Sequence, residues 1–140
     1  MITAIATNII VDILEPDPAF GPNSKEALKK CLREGIVVAC EIVWAEVLVA
    51  YEQSSSEVVG ALQKMGIQFS PMDLNSCQLA ALCWSRYLRS RRKKRTRIAA
   101  DFLIGGHAIA RSDRLLTRDT DFYKSYFKEL TVITPHPARI

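Results

Sequence analysis

The chain has 140 residues and a net charge of +4, with 49% hydrophobic and 24% charged residues and only six Gly and six Pro. That balance suits one globular domain over residues 1–140 with a single core, and excludes a disordered, collagenous or coiled-coil chain. The longest apolar stretch, residues 9–14, is broken by Asp12 and falls far short of the roughly 20 residues that span a bilayer, so the expectation is a cytoplasmic protein with no membrane segment or leader.

Residues 2–6 alternate and are β-rich, which predicts a strand running directly into a short helix over 7–14, capped by Thr7 or Asn8. Pro16, Pro18, Gly21 and Pro22 mark a loop, and Asn23 with Glu26 forms the pattern of a capping box for a helix ending at Gly35. The continuous apolar run 36–40 fits a strand covered on both faces. Residues 41–52 read as a helix apolar nearly all round, and Ser54 with Glu57 caps another that ends near Gly66. A third strand follows over 67–70. Asp73 caps a long helix that includes Leu79, Leu82, Cys83 and Arg86 and fades into a basic run.

Residues 98–111 form a further helix in which Gly105 and Gly106 permit close packing. A fourth strand over 114–117, a short helix or turn over 121–127 and a fifth strand over 130–134 complete the chain. Strands alternating with helices predict an α/β fold, a three-layer α/β/α sandwich around a mostly parallel five-stranded sheet.

Charge is unevenly spread. Eight of the nineteen Lys and Arg lie in residues 86–97 with no acid among them, which leaves eleven cations against fifteen anions elsewhere. This is the layout of an acidic body that meets a polyanion along one basic edge, and equally that of a solvated helix end. Cys31, Cys40, Cys77 and Cys83 lack C-x-x-C spacing and read as buried free thiols, while His107 and His136 lack a ligand pattern.

Carboxylates are the clearest candidates for chemistry. Glu46 sits within the apolar stripe Ile42, Val43, Val49 and Ala50, where it needs a cation or a donor, and a hydrogen bond to a neighbouring helix would satisfy it. Asp101 opens the helix after the basic run, where an acid also complements the helix dipole, and Asp119 and Asp121 follow the fourth strand, where acids also form turns. A parallel sheet brings such positions to one end, and carboxylates without Cys or His favour hard cations, Mg²⁺ or Mn²⁺. A cation so held activates water and neutralises a phosphoryl oxygen, and the basic run, through Arg91, Arg92, Lys93, Lys94 and Arg95, would then grip the phosphates beyond the scissile one.

Four segments carry a family resemblance: the opening strand ending in Ala6-Thr7-Asn8, the mid-chain Glu46, the run 100–108 (Ala-Asp-Phe-Leu-Ile-Gly-Gly-His-Ala) and the run 115–122 (Leu-Leu-Thr-Arg-Asp-Thr-Asp-Phe). In these the chain resembles the PIN-domain ribonucleases, specifically VapC-type toxins of prokaryotic toxin–antitoxin pairs. The resemblance implies a sheet of order 3-2-1-4-5, Mg²⁺- or Mn²⁺-dependent cleavage of RNA and homodimerisation. It also implies a cognate VapB-type antitoxin that carries the operator-DNA contact. Glu46, Asp101 and Asp119 fall on three acidic positions of the family, with Asp121 as an accessory. At the fourth, where the family has Asp, this chain has Ala6.

The departure implies a toxin of impaired catalysis. Deliberate inactivation by an Asp-to-Ala change is the favoured account of it and natural loss the competing one. The alternative from the binding class is a naturally inactive PIN-like module that binds RNA or protein. A phosphoacceptor receiver or a haloacid-dehalogenase-like phosphatase would need Asp at the end of the first strand and a late Lys at a strand end, and neither is present.

Overall fold

The computed structural model describes residues 1–90 and 99–136. Five strands, β1 (Ile2–Ile5), β2 (Ile36–Ala39), β3 (Ile67–Phe69), β4 (Arg114–Leu116) and β5 (Val132–Ile133), form one sheet in the order β3-β2-β1-β4-β5. Every pairing is parallel, with Ala4 opposite both Val38 and Leu115. The expected order and α/β architecture are therefore present. β1 is central, and Thr3, Ala4 and Ile5 are all buried, so the alternation in its sequence does not translate into one wet face. The buried Thr3 hydroxyl is satisfied by Arg114, whose Nε donates to Oγ1 at 2.9 Å.

Parallel strands need crossovers, and seven helices supply them among the described residues: α1 (Thr7–Leu14), α2 (Gly21–Glu34), α3 (Glu41–Ala50), α4 (Ser55–Lys64), α5 (Leu74–Arg89), α6 (Ala99–Arg111) and α7 (Thr120–Tyr126). α1 packs on α2 and α3, and α5 packs on α6. None of these helices is long and apolar enough to cross a membrane.

Several helix ends differ from the sequence expectation. Ala6, not Thr7 or Asn8, is the N-cap of α1, because both polar side chains turn to tertiary partners instead. α2 begins at Gly21, ahead of the expected box at Asn23 and Glu26: Pro22 has the φ a first turn needs, and Asp17 Oδ1 accepts from the amides of Ala19 and Phe20 just before it. Ser54 is the N-cap of α4 but makes no side-chain cap, and a 3-10 turn (Glu52–Ser54) shortens α3. Asp73 caps α5 as expected, accepting from the Ser76 amide at 2.8 Å while Ser76 Oγ accepts from the Asp73 amide.

The core joins both helical layers to the sheet. Phe102 and Phe127 are fully buried and stack on each other, with Tyr87 and Phe122 set edge-on to Phe102 and Tyr123 tilted against Phe127, between α5, α6 and α7. α5 buries the small-residue stripe Ser76, Ala80 and Cys83 together with Tyr87, and leaves Leu82 and Leu88 exposed. The stripe is small because α6 lies close against it. A Cβ on Gly106 would stand 2.4 Å from the Ser76 carbonyl oxygen and 2.7 Å from Ala80 Cβ, and one on Gly105 would strike the Phe127 ring. Cys31, Cys40 and Cys83 are buried thiols, whereas Cys77 is exposed. His107 is buried with Nε2 3.0 Å from Ser70 Oγ, and burial lowers its pKa.

Two glycine substitutions should move stability in opposite directions. Gly106→Ala gains helix propensity but collides with backbone, and should cost about 2 kcal/mol or more. Gly60→Ala, inside α4 with nothing within 4 Å of the new Cβ, should stabilise by about 0.5–1 kcal/mol. Urea-denaturation midpoints measure both.

Candidate functional site

In an open parallel sheet the place for a ligand is the crevice beyond the carboxyl ends of the strands where the order reverses. Here that place is between β1 and β4, which the Ala6 amide closes by donating to the Leu116 carbonyl at 3.0 Å. A cleft of about 350 Å³ opens at this point, lined by Ala6, Thr7, Asn8, Val11 and Asp12 from the β1–α1 segment, Glu46 from α3, Asp101 and Ile104 from α6, Thr117, Arg118 and Asp119 after β4, and Tyr123 from α7. A larger cleft of about 580 Å³ beside the edge strand β3 is lined by Trp44, Phe69 and their neighbours, with no ionisable side chain.

Each carboxylate reaches the first cleft from a different element. Glu46 is half-buried in the middle of α3, and Thr7 Oγ1 donates to its Oε1 at 2.7 Å. The apolar stripe expected around Glu46 is buried only in part: Val43 faces the core with Trp44 and Val47, while Val49 is 77% exposed and Ala50 is exposed too. Glu46 therefore stands at the edge of the buried face, where a hydroxyl and the open cleft both reach it. Asp101 is half-buried in the first turn of α6, and its carbonyl accepts from the Tyr123 hydroxyl at 3.0 Å. Asp119 is the N-cap residue of α7, and its amide donates to Thr117 Oγ1 at 3.1 Å. Asp121 is exposed in the first turn of α7 and is not among the cleft-lining residues.

Ala6, Glu46, Asp101 and Asp119 thus share one cleft, as the sequence reading brings them together. The three acids offer the hard oxygen donors a divalent cation prefers. Among the described residues, however, no group of three or more His, Cys, Asp or Glu side chains is gathered so that it could hold a metal ion. As placed, the three acids form an open, incomplete donor set, and the cleft residue at the end of β1 is the apolar Ala6.

The cleft also holds a pair to which the sequence reading assigns no role, Arg118 and Asp12. Arg118 donates from Nε and Nη2 to the two oxygens of Asp12 at 2.8 and 3.0 Å, and its guanidinium carbon lies 4.0 Å from the centroid of the Phe20 ring. The Asp12 side chain is 5% exposed and also accepts from Ser24 Oγ at 2.8 Å. The signal was present only as Asp12 interrupting an apolar helix face and Arg118 directly preceding Asp119. Residues 91–98 lie outside the described residues, so Arg91, Arg92, Lys93, Lys94 and Arg95 do too. Of the basic stretch, Arg86 is a structural residue, in a two-pronged pair with Glu129 at 2.6 and 3.1 Å that holds α5 to the segment after α7.

Comparison with known proteins gives one family and a consistent set of folds. The family model described as PIN domain matches residues 5–128. VapBC2 from Rickettsia felis, solved bound to a DNA fragment from its promoter, is similar with a TM-score of 0.77 at 20% identity, over 97% of this chain and 100% of that one. VapBC-1 from nontypeable Haemophilus influenzae gives 0.73 at 21% identity over 96% and 98%. The Mycobacterium tuberculosis toxin VapC20, described as cleaving the sarcin–ricin loop, gives 0.60 at 12% identity over 92% and 98%. No curated protein matches the chain.

Removing Arg118 should expose the cost of the Asp12 charge. Arg118→Gln alone should destabilise by about 2–3 kcal/mol, below the full cost of orphaning a buried charge because the arginine is a third exposed. Adding Asp12→Asn should recover much of that loss in chemical denaturation.

Proposed function

The chain belongs to the PIN domain family, and from that premise we propose that it is the toxin of a toxin–antitoxin pair, a metal-dependent endoribonuclease whose catalysis is impaired at Ala6. The whole chain, 1–140, constitutes the one PIN domain. The observation that carries this reading is the convergence of Glu46, Asp101 and Asp119 from α3, α6 and the β4–α7 turn on one cleft with the end of β1.

In this reading the acids are the catalytic and metal-binding residues, with position 6 as the fourth and Asp121 outside the first set of contacts. Mg²⁺ or Mn²⁺, when bound, supplies Lewis-acid activation of water and neutralises charge on a phosphoryl oxygen. The chain's own contribution is to hold the carboxylates apart and oriented. Thr7 does this for Glu46 through its 2.7 Å hydrogen bond, and Tyr123 fixes the start of α6 under Asp101. With alanine at the strand end, Glu46, Asp101 and Asp119 would hold such a cation with one carboxylate fewer and would support water activation weakly.

The partners follow from the fold likeness to solved VapBC complexes and from the surface. Leu82 and Leu88 on α5 and Val49 on α3 are exposed at 43%, 67% and 77%. These are apolar positions that a second copy of the chain and a VapB-type antitoxin would cover, the antitoxin alone making the operator-DNA contact. A cytoplasmic location accompanies this role. Ala6 itself favours the second reading, a naturally inactive PIN-like module that binds RNA or protein.

Ala6→Asp is expected to cleave RNA with Mg²⁺ or Mn²⁺, to lose that activity on chelation and to be toxic to cells expressing it, whereas this chain and Ala6→Asp with Asp101→Asn show little or none. Asn keeps the shape of Asp without its charge, so loss in the double variant points to charge at the site. An Ala6→Asp protein that folds, yet cuts none of a broad set of RNAs, would hand the case to the binding-module reading. Separately, Ala at Arg91, Arg92, Lys93 and Lys94 should weaken RNA binding and flatten its dependence on salt, since fewer counterions are released. An unchanged slope would make the run a solvated segment.

A further inference from the structure

We propose that Arg118 is the RNA phosphate contact inside the cleft, and that Asp12 and Phe20 are the residues that hold it there. This role presupposes the ribonuclease reading and adds to it the element that an acidic cleft requires. Asp12, Glu46, Asp101 and Asp119 line the cleft, and Arg118 is the only Lys, Arg or His among its described lining residues. A phosphodiester approaching these carboxylates is repelled unless a fixed cation meets it.

The geometry fits that task. Asp12 takes one edge of the guanidinium in a two-pronged pair, and the Phe20 ring lies against its face. Ser24 and the burial of the Asp12 carboxylate fix the anchor in turn. The main chain is held as well, since the Arg118 amide donates to Asn8 Oδ1 at 3.3 Å. The side chain is nevertheless 32% exposed at the cleft, and the pair uses two of its five N–H groups. The remaining donors form a second edge whose planar fork matches two oxygens of a phosphate, pre-oriented so that little side-chain entropy is lost on binding.

A guanidinium wholly devoted to its anchor would be only a tether between α1 and the β4–α7 turn. Binding of a short fluorescein-labelled single-stranded RNA, followed by anisotropy across a salt series in chelator, separates the two roles without needing turnover. Asp12→Asn serves as the reference because it leaves no orphaned charge when Arg118 is changed, while its amide oxygen still accepts from the guanidinium and the Phe20 face is untouched, and thermal melts verify that each variant folds. Against it, Asp12→Asn with Arg118→Gln should bind about tenfold more weakly, the worth of a charged hydrogen bond. Its log–log salt slope should be shallower by about 0.7, one phosphate contact on a single strand. Asp12→Asn with Arg118→Lys should restore the slope but not the full affinity, because lysine keeps the charge without the fork. Equal affinity and slope for the Gln variant and the reference overturn the proposal and leave Arg118 as a tether, with the ribonuclease reading still decided by cleavage in Ala6→Asp. No RNA binding by the unmodified chain together with no cleavage by Ala6→Asp would instead defeat the ribonuclease reading itself, and the Arg118 contact with it.

Discussion

The parallel pairing of β1 with β2 on one side and β4 on the other is the constraint from which the candidate site follows. Because β1 is flanked on both edges by strands running its own way, the chain must leave β1 and β4 at the same end of the sheet and turn to separate crossovers. The Ala6 amide still bonds back to Leu116 while Thr7 already starts α1. Thr117, Arg118 and Asp119 leave β4 directly alongside. A cleft at this point needs no loop of its own, since the diverging segments make its floor and the helix faces of α3 and α6 make its walls.

What fills the cleft is a conflict of charge resolved in two ways. Four carboxylates and one arginine in about 350 Å³ would be costly if all were dry. Asp12, the most buried of the four, is the one given a guanidinium and a hydroxyl. Glu46 keeps partial exposure and a Thr7 hydroxyl. The guanidinium that satisfies Asp12 also keeps about a third of its side chain exposed among the residues that line the cleft. Arg86 shows the contrasting case, a cation from the basic stretch whose pairing with Glu129 serves the packing of α5.

The seating of α6, which brings Asp101 and Ile104 to the cleft, is governed by contact distance. α5 and α6 approach so closely that Gly106 meets the Ser76 carbonyl and Ala80, and Phe127 fills the space above Gly105. This fixes the start of α6, and with it Asp101, relative to α7 through Tyr123. The helix that brings Asp101 to the cleft is thus seated through glycines in its own buried part.

The sequence by itself determined the alternation of strands and helices, the parallel sheet and the Asp73 cap, while the family resemblance supplied the strand order and the grouping of position 6 with Glu46, Asp101 and Asp119, to which it added Asp121, a residue that does not line the cleft. These are legible because periodicity, caps and short motifs are local properties. Tertiary structure alone decided that Thr7 and Asn8 bond to Glu46 and Thr117 and not to their own helix, that Val49 faces outward while Trp44 goes in, and that Asp12 meets Arg118 across 106 residues. The reason is common to all three. A polar side chain at a helix end takes the best available partner, and an apolar helix with no polar face buries whichever side the sheet presents. Neither choice exists until the strands have brought distant segments together.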